Sequence, residues 1–225
     1  METTSRKANK KEAIIAPETR IQIAYIDYLL THGQRPASVF KFSVDLGIRE
    51  EDFYSHFGSF DGLERQIWKS FIHRSLLRLK ADESYAGFSI REKILSFYYT
   101  FFEDMKANRS FVLLQLDRHK KLELVPEFLK DFKRAFEDYM ESLLTLGKGN
   151  GEIAKRPFIE RGYPQLFWMH MAFLLMFWKN DNSVGFEQTD AAIEKSVNLA
   201  FDLIGKGTVD TAFDFAKFLY QSKTK

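Results

Sequence analysis

The segment YPQLFWMHMAFLLMFW, residues 163–178, constrains this chain more than any other. At about 3.6 residues per turn its apolar side chains point all around a helix, and such a helix has to be buried on every side. It falls short of the roughly 20 residues a membrane span needs, and His170 interrupts it, so protein rather than lipid is expected to cover it. Covering it takes several amphipathic helices, and the rest of the chain supplies them.

Between Glu18 and Leu30 the apolar residues Ile21, Ala24, Tyr25, Tyr28 and Leu29 recur with helical spacing. His32-Gly33 ends that helix and Pro36 opens the next element, as Gly suits a helix end and Pro a start. A short helix near 37–45, a turn at Leu46-Gly47 and a second short helix near 50–56 follow. Gly58-Ser59 then breaks the chain ahead of a long helix carrying Leu63, Ile67, Phe71 and Leu79. Beyond Gly87 the spacing predicts helices over 90–105, 126–146, 164–178 and 186–204. It also predicts a broken charged piece near 111–122, a loop at 147–151, and a last helix over 208–220 with Phe213, Ala216, Lys217 and Tyr220 on one stripe. No stretch alternates with period two, so the chain is expected to be all-α. The expected divisions are a basic arm (1–17), a three-helix helix-turn-helix head (18–62) and a larger helical domain for ligand binding and dimerisation (63–225).

Several function classes drop out. The chain has no cysteine, which removes disulfides and thiolate metal sites. It has no HExxH, no GxSxG and no phosphate-cradling loop. GKGNG at 147–151 follows a helix rather than a strand and lacks the Lys-Ser/Thr ending. No catalytic residue, metal or cofactor is therefore expected. The start, METTSRKANKKEA, has basic residues with no apolar run behind them, so a cytoplasmic protein is expected.

Two short helices around a glycine, behind one amphipathic helix and ahead of a long one, form a reading head for DNA. Gly47 suits the turn because φ > 0 is open to Gly without strain. Val44, Leu46, Ile48, Phe53 and Phe57 are expected to close a small core. Gly33, Leu46-Gly47-Ile48, Tyr54-Ser55-His56-Phe57 and Leu63 together resemble the TetR family of bacterial repressors. The motif resemblance covers about residues 20–65, and helix order carries it further. It implies that Ser38, Lys41, Tyr54 and His56 approach phosphates, and Arg49 joins them as a candidate DNA contact. It also implies a palindromic operator DNA as a partner.

The departures from the pattern are specific. Arg49 stands where a small or hydroxyl residue usually caps the second helix. Glu50, Glu51 and Asp52 stand where small, polar or basic residues usually face the groove, and Phe60 replaces a phosphate-facing cation. Residues 21–58 hold three cations against five acids, a net of −2, although the whole chain is +2. Phosphate neutralisation supplies most non-specific affinity, so the arm residues Arg6, Lys7, Lys10 and Lys11 would have to provide it. The acids can also stabilise the start of a helix or accept from cytosine N4.

In the larger domain, Phe97, Phe101, Phe136, Trp168 and Met171, with Phe102 and Phe132, are candidate walls of a pocket for an apolar small-molecule effector. His119, Tyr139 and His170 are its candidate polar groups. Ala192, Ile193, Val197, Ala200 and Ile204 form a stripe expected at a homodimer interface, since the resemblance implies a four-helix interface from the last two long helices of each subunit. The reading is a dimeric regulator that binds operator DNA and an effector. The alternative is a protein of the same fold that binds a lipid- or quinone-like molecule and has lost DNA recognition.

Overall fold

The computed structural model describes residues 16–118, 125–156 and 160–205, with Gly207, Phe215 and Leu219 placed singly. Among these residues there are nine α-helices and no strand, only an isolated antiparallel bridge between Ile153 and Gly205. The helices are α1 (Pro17–His32), α2 (Val39–Leu46), α3 (Glu50–Tyr54), α4 (Phe60–Ala81), α5 (Ile90–Ala107), α6 (Arg109–Arg118), α7 (Lys130–Asn150), α8 (Tyr163–Asn180) and α9 (Glu187–Ile204). The chain divides within α4 into two compact units, Met1–Leu63 and Glu64–Lys225.

The smaller unit is built on rings. Tyr25, Phe42 and Phe53 are buried, and Phe60 stacks on Tyr25 at 5.3 Å with its edge to Phe42 and Phe53 at 5.8 and 5.7 Å. Phe60, which the motif places where a cation is usual, therefore belongs to the core of this head. Phe57 joins that core, whereas Val44 is 59% exposed and Leu46 and Ile48 are only half-buried. The expected small core is thus shifted: the bulky rings fill it and push α2's Val44 outward.

The larger unit centres on α5, α7, α8 and α9. α5 packs against α7 and α9, and α8 against α7 and α9. Ser89 starts α5 with a capping box: its hydroxyl accepts from Glu92 N at 3.3 Å, and the Glu92 carboxylate accepts from Ser89 N at 2.7 Å. The segment expected as a loop at 147–151 is instead the end of α7, which runs to Asn150 and is capped by Gly151 at φ 84°. Helix persists there because packing favours it. A Cβ on Gly147 would lie 2.7 Å from the Ile153 side chain, so a glycine lets Ile153 fold back on α7, and Gly147 O accepts from Ile153 N at 3.0 Å.

A polar knot turns α8 into α9. Arg109 donates to the carbonyls of Trp178, Lys179 and Asp181 at 3.0, 3.1 and 3.2 Å, and lies over the Trp178 and Phe186 rings at 4.4 and 4.5 Å. Asp181, buried just past α8, accepts from N and Oγ of Ser183 and from N and Oγ1 of Thr189, all within 2.6 to 2.9 Å. The bond from Thr189 N satisfies one orphan N–H in the first turn of α9, and Ser183 Oγ accepts from Gln188 N at 3.2 Å to satisfy another. The expected final helix over 208–220 and the charged segment beyond Arg118 lie largely outside the described residues.

Candidate functional site: the head, the apolar face and the seam between α8 and α9

In the head, Gly47 ends α2 in the left-handed region at φ 71°, which sets the turn into α3. Ser38 caps α2, its hydroxyl accepting from Lys41 N at 3.1 Å. The acids of α3 serve that helix directly. The Asp52 carboxylate accepts from Arg49 N at 3.1 Å, binds the Arg49 guanidinium at 2.9 Å, and is held below its usual range mainly by that side-chain bond. Arg49 also pairs with Glu51, and Lys41 pairs with Asp45 at 3.3 Å. Arg35 pairs with Asp61 at 2.7 Å, and Arg20 donates to Leu46 O at 3.2 Å. All four Lys and Arg residues between 16 and 63 are thus engaged within the head, against seven Asp and Glu, a net of −3. Tyr54 and His56 are exposed beside α3, as is Phe40 on α2. The Arg6–Lys11 arm lies outside the described residues.

The predicted pocket walls come together, ring against ring. Phe97 stacks on Phe101 at 5.8 Å and meets Phe136 at 5.8 Å, while Phe132 and Phe136 approach Trp168 at 5.9 and 6.3 Å. Met171 and these phenylalanines are fully buried, so ring meets ring across the cluster. Phe102 packs on Trp178, and the Tyr139 hydroxyl is tied to Tyr85 at 2.7 Å. His119 lies outside the described residues.

His170 has both ring nitrogens engaged. Nδ1 lies 3.0 Å from the Tyr98 hydroxyl and Nε2 lies 2.7 Å from Ser196 Oγ, which is 2.5 Å from Ala192 O. The Ala192 carbonyl can only accept, so the proton order follows along the chain. Ser196 donates to Ala192 O, His170 Nε2–H donates to Ser196, and Tyr98 O–H donates to Nδ1. That tautomer is the reverse of what would activate a serine nucleophile, which needs an accepting nitrogen. Burial holds His170 down at about 4 and pushes the Tyr98 phenol well above its usual range.

The expected interface stripe is split by the fold. Ile193, Val197 and Ile204 are buried within their own chain, and Ala192 and Ala200 are half-buried. The correction has a simple cause: a 3.6-residue period shows that α9 is two-sided but not which side meets α5. The outward apolar residues are Leu199 and Leu203 on α9, with Leu166, Met169, Phe173 and Met176 on α8. The all-round apolar segment thus has one face in the core and another, with Phe173 51% exposed, bare in a single chain. Beside that face a cavity of about 300 Å³ opens between α8 and α9, with Leu166, Phe167, Leu203 and Ile204 as walls and Arg156, Tyr163 and the His170 ring at its edges.

A helix-turn-helix head followed by a larger helical unit with a bare apolar face defines a class of all-helical, two-unit proteins. The profile described as "Tetracyclin repressor-like, C-terminal domain" matches residues 93–219, more than half of the chain. The chain belongs to the TetR family of transcription regulators. A solved structure of a TetR family transcription regulator from Shewanella sp. PV-4 is similar, with TM-score 0.58 at 14% identity over 86% of this chain and 100% of that one. A TetR-family regulatory protein from Rhodococcus RHA1 is similar at TM-score 0.52 and 14% identity, again over 86% of this chain and all of the other. Likenesses at such identity carry the fold. No curated protein matches the chain in sequence. No helix among the described residues is long and apolar enough to cross a membrane.

Proposed function

We propose that this chain is a dimeric, cytoplasmic, one-component regulator whose two heads bind operator DNA and whose larger units hold an apolar effector. The observation that carries the reading is the stripe of Leu166, Met169, Phe173 and Met176 beside Leu199 and Leu203. A contiguous apolar face of this kind marks an interface, and a twofold pairing through α8 and α9 would present two heads to half-sites roughly 34–36 Å apart. Ser38, Tyr54 and His56 would approach phosphates, and the Arg6–Lys11 arm would supply most of the attraction. Lys41 and Arg49 would have to exchange their intrachain acids for phosphate. An effector changes operator affinity by its differential affinity for the two head spacings.

The second reading, a binding protein of the same fold without DNA recognition, is favoured by the head's net of −3 and by its fully engaged cations. Selection from genomic fragments separates the two. A regulator retains particular fragments, and retention falls steeply with salt. Absence of selective retention at low salt leaves only the second reading.

A further inference from the structure

Resting on the effector reading above, we propose that the larger unit holds a neutral, flat aromatic molecule by a lactam-like edge, a carbonyl beside an N–H, between Trp68 of α4 and Gln115 of α6.

Trp68 and Gln115 have no exposed surface. Yet the Trp68 indole N–H and both the oxygen and the nitrogen of the Gln115 amide meet no hydrogen-bond partner among the described residues. Folded proteins pair nearly all such groups, because a buried one left bare has given up its hydration for nothing. Gln115 shares the buried face of α6 with Phe111 and Val112, a position where an apolar side chain is the ordinary choice.

The packing of the chain along α4 sets these groups at one level. Ser75 donates to Asp104 at 3.1 Å, Phe71 meets Phe111 at 6.5 Å, Trp68 meets Phe128 at 5.1 Å, and Arg65 donates to Glu127 at 2.6 Å. From Asp104 to Phe128 the chain therefore tracks back along α4 toward its start, and α6 runs antiparallel to it. Trp68 precedes Phe71 by about one turn and Gln115 follows Phe111 by about one turn. Both thus lie on the same side of the Phe71–Phe111 contact.

The chemistry of the occupant follows from the donors and acceptors. A lactam carbonyl has two lone pairs, one for the Trp68 N–H and one for the Gln115 Nε2–H, and its own N–H donates to Gln115 Oε1. One ligand edge would then pair all three bare atoms. A charged group would lose its hydration in a site with no exposed surface, which favours a neutral edge. Phe71, Phe128 and Phe132 stand around the Trp68 ring at 5.7, 5.1 and 5.9 Å, so a flat aromatic body would meet rings.

The test uses the full-length chain, free of DNA, with 2-quinolone, N-methyl-2-quinolone and quinoline, which differ only at that edge. The lactam should raise the melting temperature with concentration and shift the Trp68 indole N–H resonance, assigned by its absence in Trp68→Phe. Blocking the donor in the N-methyl compound should weaken binding by about tenfold, and Gln115→Leu should weaken the lactam at least as much. Without ligand, Gln115→Leu should leave the melting temperature unchanged or raise it, since it removes a bare polar group of similar size. The site is overturned if the three compounds bind alike or not at all, or if the Trp68 resonance stays in place. It is equally overturned if Gln115→Leu destabilises the free chain, which would make an internal water the amide's partner. A lactam that binds as described but leaves DNA retention unchanged upholds the site and removes the effector role. An apolar compound that alters DNA retention equally in the parent and in Gln115→Leu keeps the effector reading and removes this site.

Discussion

His170 Nε2 lies 2.7 Å from Ser196 Oγ, and this contact ties α8 to α9 through a ring whose other nitrogen is held by Tyr98 of α5. Protonating the ring would leave Nδ1–H facing a buried phenol that is already a donor. Burial accordingly holds His170 at about 4 in the fold, against an ordinary 6.5. The unfolded chain therefore binds the proton first as pH falls, and stability from this group, full above 6.5, is lost between about 6.5 and 4. The loss is on the order of 3 kcal/mol. Urea unfolding at pH 7 and at pH 4.5 should show it, and His170→Gln should flatten that portion of the profile. An unchanged pH dependence in the variant would sink the assignment.

Asp181 sits at the α8–α9 turn, where burial disfavours its charge but the bonds from Ser183 and Thr189 prevail and hold it at about 2. Its contribution is full above the usual carboxylate range and disappears as pH falls through about 2. Asp181→Ala leaves the Thr189 N–H in the first turn of α9 unmet, with the Ser183 N–H before it, and should cost about 1–3 kcal/mol. Thr189→Val, which removes one of the four contacts, should cost less. Equal losses in the two variants would argue against the knot.

On the proposed dimer, Phe173→Glu places a charge on the outward stripe and should shift sedimentation from twice 26.4 kDa toward the single-chain mass, with the fold intact. Val197→Glu should behave differently. Val197 is fully buried, so the change puts an unpaired charge into the subunit core and should unfold the chain, costing on the order of 4 kcal/mol or more. A folded Val197→Glu monomer would reverse the assignment of faces on α9.

In the head, Asp52 and Glu50 play separable parts. Asp52→Asn should loosen α3, because it removes the carboxylate that holds both the Arg49 backbone and the guanidinium. Glu50→Gln should leave the melting curve alone and raise DNA affinity at low salt, since it removes repulsion without a structural partner. Fragment retention and melting curves on both variants check this. Stronger binding by Asp52→Asn with no loss of stability would show that the acid has no part in holding α3.

Trp168→Ala tests the packed cluster directly. Its ring lies 5.9 and 6.3 Å from Phe132 and Phe136, and the truncation should cost about 3–5 kcal/mol. A much smaller loss in denaturant unfolding would show that the rings close over the gap.

Local pattern made the helices, the Gly47 turn and the head legible, because helix periodicity and a required φ > 0 are properties of neighbouring residues. The same pattern showed that residues 163–178 are apolar on all sides, and that the head carries more acid than cation. It could not tell the inward face of α9 from the outward one, since Val197 and Leu199 are equally apolar and only the packing of α5 against α9 decides between them. Nor could it show that Gly147 extends a helix, which depends on Ile153 folding back, or that Phe60 replaces a cation to stack on Tyr25. The candidate site divides in the same way. Sequence identified the apolar residues that gather around α5, α7 and α8, but whether rings leave a space or fill it depends on distances between helices far apart in the chain. Tertiary structure brought those rings into mutual contact, and among the described residues an open volume lies between α8 and α9, where Ala200 is small and His170 is already bound.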